Sequence, residues 1–144
     1  MSSFTDPLIV EPNDAETSWT LMQPFRYWIT KLHEGDVITV PKGFVTDFAS
    51  IPQIFWNILP PTGKYGKAAV VHDYLYQHNG IIVVSEDGVS PVVGKTFTRK
   101  QCDNIFLDAM ACLGVSWLTR HIMYQAVNWF GFLAWNGHKK NKGV

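Results

Sequence analysis

What this chain lacks narrows it first. Twelve basic and twelve acidic residues cancel to a formal net charge of zero, so the chain as a whole has no electrostatic pull toward nucleic acid or an anionic membrane. The one basic cluster, Lys139, Lys140 and Lys142, lies at the C-terminal end and reads as a solvated tail rather than a phosphate site. No nucleic-acid partner is expected. Cysteine is scarce: Cys102 and Cys112 are the only two. On one helix they would stand about 15 Å apart, too far for a disulfide. Reduced thiols used as small core residues suit synthesis in a cytoplasm. The opening Met1-Ser2-Ser3-Phe4-Thr5-Asp6-Pro7 has neither the basic start nor the apolar run of a Sec-type signal. There is no internal repeat or low-complexity segment. The apolar run near the C-terminus is interrupted by Arg120, His121, Gln125 and Asn128, so a transmembrane span is not expected.

What is present is apolar material for one core. With 144 residues, 47% hydrophobic and 14% aromatic, a single domain over 1–144 is expected, with 1–16 as a loose N-terminal segment and 137–144 as a basic tail. Leu8-Ile9-Val10 is a short strand candidate among Pro7, Pro12, Asn13 and Asp14. Residues 17–30 favour strand, divided or bulged at Pro24. Val37-Ile38-Thr39-Val40 is a clear strand between the turns Glu34-Gly35-Asp36 and Pro41-Lys42-Gly43. Ser50 and Gln53 have the spacing of a capping box for a short helix ended by Pro60 and Pro61.

A central helix is expected over 65–79, because Ala68, Val71 and Leu75 keep helical spacing. Ile81-Ile82-Val83-Val84, a turn at Glu86-Asp87-Gly88, and residues 91–97 then suggest a β-hairpin between helices. Thr98 and Gln101 form a second capping box for an amphipathic helix stopped at Gly114. A last helix covers 116–135, and its Trp117, Trp129 and Trp135 fit either the core or a membrane or protein interface. The fold class is α+β: a small N-terminal antiparallel sheet, a central helix, a β-hairpin and two C-terminal helices packed on the central one.

The chemistry concentrates in Ala68-Ala69-Val70-Val71-His72-Asp73-Tyr74-Leu75-Tyr76. On a helix, His72 and Tyr76 share a face and Asp73 projects about 100° round from His72. Polar groups on a core-like helix need partners. If the next long helix packs antiparallel, Asp103 can accept from His72, fix its tautomer and leave the other ring nitrogen free to take a proton from water. Asp73, facing the same cleft, could hold a hard cation, calcium or magnesium, that polarises a substrate oxygen. Asp47 is either a loop carboxylate facing the site or an Asx-type turn former.

Two resemblances follow from these residues. Val40-Pro41-Lys42-Gly43-Phe44-Val45-Thr46-Asp47-Phe48-Ala49-Ser50-Ile51-Pro52, the stretch from Ala68 to Tyr76, and Asp103-Asn104-Ile105-Phe106 with Ala109-Met110 resemble the phage and prophage family catalogued as domain of unknown function thirteen fifty-three. The likeness runs over about residues 35–135. It implies a phage or prophage origin; synthesis in a host cytoplasm without a Sec-type signal is expected, and association with a virion is one of the places left open.

His72-Asp73-Tyr74-Leu75-Tyr76 followed by Asp103-Asn104-Ile105-Phe106 is also similar to the His-Asp-x-x-Tyr helix and later Asp of phospholipases A-two, including the viral capsid form. This resemblance implies His72 as base, Asp73 as calcium ligand, Asp103 as orienter of His72, and Tyr76 as hydrogen-bond partner of Asp103. The disulfide cysteines and the glycine-rich calcium loop of those enzymes are missing, which leaves Asp47 as the candidate to replace the loop. Two readings stay open. One is a metal-dependent hydrolase of an ester or envelope component. The other is a non-enzymatic virion or assembly protein, docking on phage structural proteins or an envelope surface, in which the same residues lock helix packing.

Overall fold

The computed structural model describes residues 3–4, 6–14, 18–29, 36–47, 66–85 and 93–141. Among the described residues eight strands and three helices follow in the order β1 (Ser3–Phe4), β2 (Val10–Pro12), β3 (Trp19–Leu21), β4 (Phe25–Ile29), β5 (Asp36–Val40), β6 (Val45–Thr46), α1 (Gly66–Gln77), β7 (Ile81–Ser85), β8 (Val93–Thr96), α2 (Arg99–Cys112) and α3 (Trp117–Asn141). This is the expected α+β arrangement, an N-terminal sheet followed by helices. The short helix expected after Ser50 lies outside the described residues.

The strands form two antiparallel sheets, one ordered β1-β4-β5-β7-β8 and one ordered β2-β3-β6. Pro24, which cannot donate to a ladder, separates β3 from β4 and so divides the two sheets. In β4 the alternation that a half-buried strand requires is visible: Phe25, Tyr27 and Ile29 are buried while Arg26 and Trp28 are half-buried. β5 lies in the middle of its sheet, and its consecutive residues Val37 and Ile38 are both fully buried. That is the pattern of a strand covered on both faces.

Two features depart from the sequence expectation. The expected hairpin β7–β8 forms between α1 and α2 but does not stand alone, because β7 pairs with β5 through Val37↔Ser85 and Ile38↔Val84 and extends the N-terminal sheet. The N-terminal segment is tied down as well. β1 pairs with β4, β2 pairs with β3, and Arg26 Nε and Nη2 donate to the two carboxylate oxygens of Asp6 at 2.9 and 3.0 Å. Such bidentate pairing fixes geometry as well as charge.

The helices pack as a layer. α1 is buried along almost its whole length, with Ala68 to Asp73, Leu75 and Tyr76 all inaccessible. It rests on β5 and β6 on one side and on α2 and α3 on the other. The α2 capping box forms as its spacing predicts: the Gln101 amide donates to Thr98 Oγ1, and the Thr98 amide donates to Gln101 Oε1. At the other end Gly114 takes φ +78° and donates to Ala111 O, which closes the helix. Neither Cys102 nor Cys112 on α2 forms a disulfide; the first is buried and the second exposed. Among the described residues no helix is long and apolar enough to cross a membrane.

Candidate functional site

α1 and α2 bring three of the five candidate residues together. His72 Nε2 lies 2.9 Å from Asp103 Oδ1, and the Tyr76 hydroxyl donates to the same oxygen at 2.5 Å. His72 is 2% exposed and Asp103 fully buried. An ionised Asp103 can only accept, so the facing Nε2 carries the hydrogen and a neutral imidazole keeps its lone pair on Nδ1. That Nδ1 has no hydrogen-bond partner among the described residues. Burial, then the hydrogen bond and charge of Asp103, push the Tyr76 hydroxyl far above its ordinary range, so it stays a neutral donor.

The aromatic surroundings hold the imidazole in place. Its ring sits 4.1 Å from that of Tyr76 and 4.7 Å from that of Phe106, centroid to centroid. Arg99, one helical turn before Asp103, places Nη1 3.6 Å from Asp103 Oδ2 and donates to Asn128 O of α3 at 3.1 Å. It therefore links the carboxylate to the third helix.

Asp73 occupies a different side of α1, toward β6. Its Oδ2 accepts from the Asp47 amide at 3.1 Å and from the Gln77 side chain at 3.3 Å. Gln77 also donates to Val45 O, which fastens α1 to the end of β6. Asp73 is 5% exposed. It does not line an open cleft, as its position round the helix had suggested, because β6 and Asp47 cover it. Burial, reinforced by the charge of Asp47, raises the Asp73 carboxyl to about 7, against hydrogen bonds from Thr46, Asp47 and Gln77 that favour the charged form. Asp47 itself is exposed and close enough for its charge to be felt.

This pair suits a hard cation in donor chemistry: oxygen-only ligands, two carboxylates, and a mutual repulsion that a cation would relieve. Among the described residues no group of three or more His, Cys, Asp or Glu side chains gathers to hold a metal. Further oxygens would have to come from backbone carbonyls or water.

Several contributing residues carry no motif. Asn79, in the left-handed region at φ +50°, donates through Nδ2 to Trp135 O at 2.8 Å and so pins the end of α1 to α3. Trp135 in turn meets the Tyr76 ring edge-on at 5.2 Å. Gly131 is where α3 passes closest to the site: a Cβ there would lie 2.5 Å from the Tyr76 hydroxyl oxygen and 3.0 Å from its ring. A lone glycine within a helical run was the available signal for such an approach. Thr46 is fully buried beside Asp73, and nothing in its immediate sequence announced it.

Comparison with known proteins gives little chemistry. A 37-residue stretch is 57% identical to the uncharacterized protein y4jT of Sinorhizobium fredii, covering 24% of this chain and 11% of that protein. The chain thus spans about a tenth of the length of the curated relative it matches. No solved structure matches. The model of the family described as protein of unknown function DUF1353 matches residues 19–127, from β3 into α3, and takes in His72, Asp73, Tyr76, Asp103 and Asp47. By that match the chain belongs to the DUF1353 family.

Proposed function

We propose that this chain is a phage- or prophage-encoded, divalent-cation-dependent hydrolase of an ester or envelope component, with His72 as its general base. The observation that carries this reading is the imidazole itself: one nitrogen bonded to a carboxylate that also accepts from Tyr76, the other buried and unpartnered among the described residues. An unpaired buried nitrogen costs about 1–3 kcal/mol, a cost that a water or substrate proton in contact with it would offset. The local likeness to phospholipases A-two supports the ester class. The family resemblance supports the phage origin and a place in or near a virion.

In this reading His72 Nδ1 removes a proton from water, and Asp103 stabilises the imidazolium that results. Tyr76 and Arg99 hold Asp103 in position. Asp73 and Asp47 are the residues that would hold the cation, calcium by preference. When bound, it would supply polarisation of a substrate oxygen.

The 2% exposure of His72 favours a second reading, that the same network locks α1 to α2 and the protein is a non-enzymatic virion or assembly component. One experiment separates them. Purified protein and a His72→Gln variant are assayed on phospholipid and other ester substrates with calcium, magnesium, manganese or zinc supplied in turn, alongside calorimetry with each ion. The hydrolase reading expects turnover, a loss of about two to four orders of magnitude in the variant, and a cation-linked rise in melting temperature that Asp73→Asn removes. Absence of turnover and of any cation-linked shift in a stable protein would leave the structural reading.

A further inference from the structure

The outer face of α3 carries an apolar stripe that the site does not use. Trp117, Leu118, Trp129 and Leu133 are 63–70% exposed. Trp117, Leu118, His121, Ile122 and Trp129 line a shallow groove of about 470 Å³ along the helix. Trp117 stacks on His121, which bonds through Nδ1 to Trp117 O, so the indole at the head of the stripe is braced against the next turn of the helix. A contiguous apolar patch of this kind marks a place of contact.

Charge says with what. The chain is neutral overall, yet its charges are segregated. The 25 residues of α3 include no aspartate or glutamate, and carry Arg120, Lys139 and Lys140. A second copy docking face to face would bring two acid-free, cationic helices together and repel. An anionic lipid surface instead takes tryptophan and leucine at the level of its headgroups and attracts the lysines at the helix end.

From the exposed stripe and this one-sided charge we infer that α3 is an interfacial docking helix for an anionic phospholipid bilayer, lying along the surface without crossing it. This docking is independent of any chemistry at His72.

The test is flotation with diether phosphatidylglycerol–phosphatidylcholine vesicles, whose ether linkages cannot be hydrolysed as esters, against diether phosphatidylcholine alone. The full chain should float with the anionic vesicles, and less well as salt rises. A Trp129→Gln/Leu133→Gln variant should bind at least about tenfold more weakly. Lys139→Gln and Lys140→Gln should each weaken binding about fivefold at low salt. Trp129 and Leu133 are exposed, so in the double variant circular dichroism and melting temperature should not move. The inference is overturned if neither vesicle is bound or if the double variant floats as well as the parent. It is equally overturned if light scattering shows a dimer that the double variant loses while vesicles are ignored. Running the same series in His72→Gln keeps a failure of the base apart from a failure of the surface.

Discussion

Two carboxylates are buried against α1, and the protein treats them in opposite ways. Asp103 is met by His72 and Tyr76 on one oxygen and approached by Arg99 near the other. Asp73 is met by an amide and a carboxamide, lies close to a second carboxylate, and is raised to about 7. Both cost desolvation, but only Asp103 is met by groups that can be cationic, whereas Asp73 is met by the neutral donors Thr46, Gln77 and the Asp47 amide. The difference teaches that burial alone does not define a structural residue. The Asp103 side draws its donors from the helices, all on one oxygen, while Oδ2 accepts no hydrogen bond among the described residues and has Arg99 Nη1 3.6 Å away. On the Asp73 side burial and the neighbouring charge of Asp47 raise the carboxyl to about 7, so there the charged form is the disfavoured one.

The comparison breaks most sharply at Asp103. Asp103→Ala strips the partner from two side chains and should cost about 3–5 kcal/mol, read as a lower midpoint in urea denaturation with an unchanged slope.

Asp73 sharpens it next. The folded chain holds this proton more tightly than the unfolded chain, whose ordinary value is 3.8. Protons are therefore taken up on folding in that window. The Asp73 contribution is most favourable at the acid end, falls as pH rises from about 3.8 to 7, and stays lost above it. The difference amounts to something on the order of 3 kcal/mol. Asp73→Asn should flatten that slope relative to the parent and make the cation-free protein the more stable of the two at pH 8. Melting curves of both proteins at several pH values measure it, and parallel curves would remove Asp73 as the titrating group.

A smaller effect is expected at Gly131. Gly131→Ala drives a methyl group into the Tyr76 ring, and overpacking of this kind costs about 1–3 kcal/mol. A shift of the Tyr76 ring signals by NMR, with those of β2 and β3 undisturbed, would localise the damage. Tyr76→Phe should be the mildest, about 1 kcal/mol, since Asp103 keeps His72. A larger loss there would mean that the hydroxyl, rather than the imidazole, anchors the carboxylate.

What was legible in the sequence was local. Thr98 and Gln101 could be paired from spacing alone, because a capping box closes within one turn. The face shared by His72 and Tyr76 followed from the helical period, and the hairpin between the helices allowed α2 to return to it. The extension of the first sheet by that hairpin was not legible, because the pairing of β5 with β7 joins distant residues and no turn sequence encodes the register. Nor was the enclosure of Asp73, which depends on a three-stranded sheet arriving beside α1. Arg99 and Asn79 act across helices, on backbone carbonyls of α3. A carbonyl leaves no mark in the sequence.

The pairing of β5 with β7 also bears on how the chain reaches this state. Val37 and Ile38 wait for Ser85 and Val84, with all of α1 in between, so the sheet cannot be completed by neighbours in sequence alone. A loop of that length must close before its contacts stabilise anything, which slows folding relative to a helical bundle of equal size. Until then β5 presents an unpaired edge on one side and a run of apolar side chains. On a ribosome, that edge is exposed from the moment Val40 emerges until β7 has followed it, and this interval is where the chain is most open to pairing with the wrong strand.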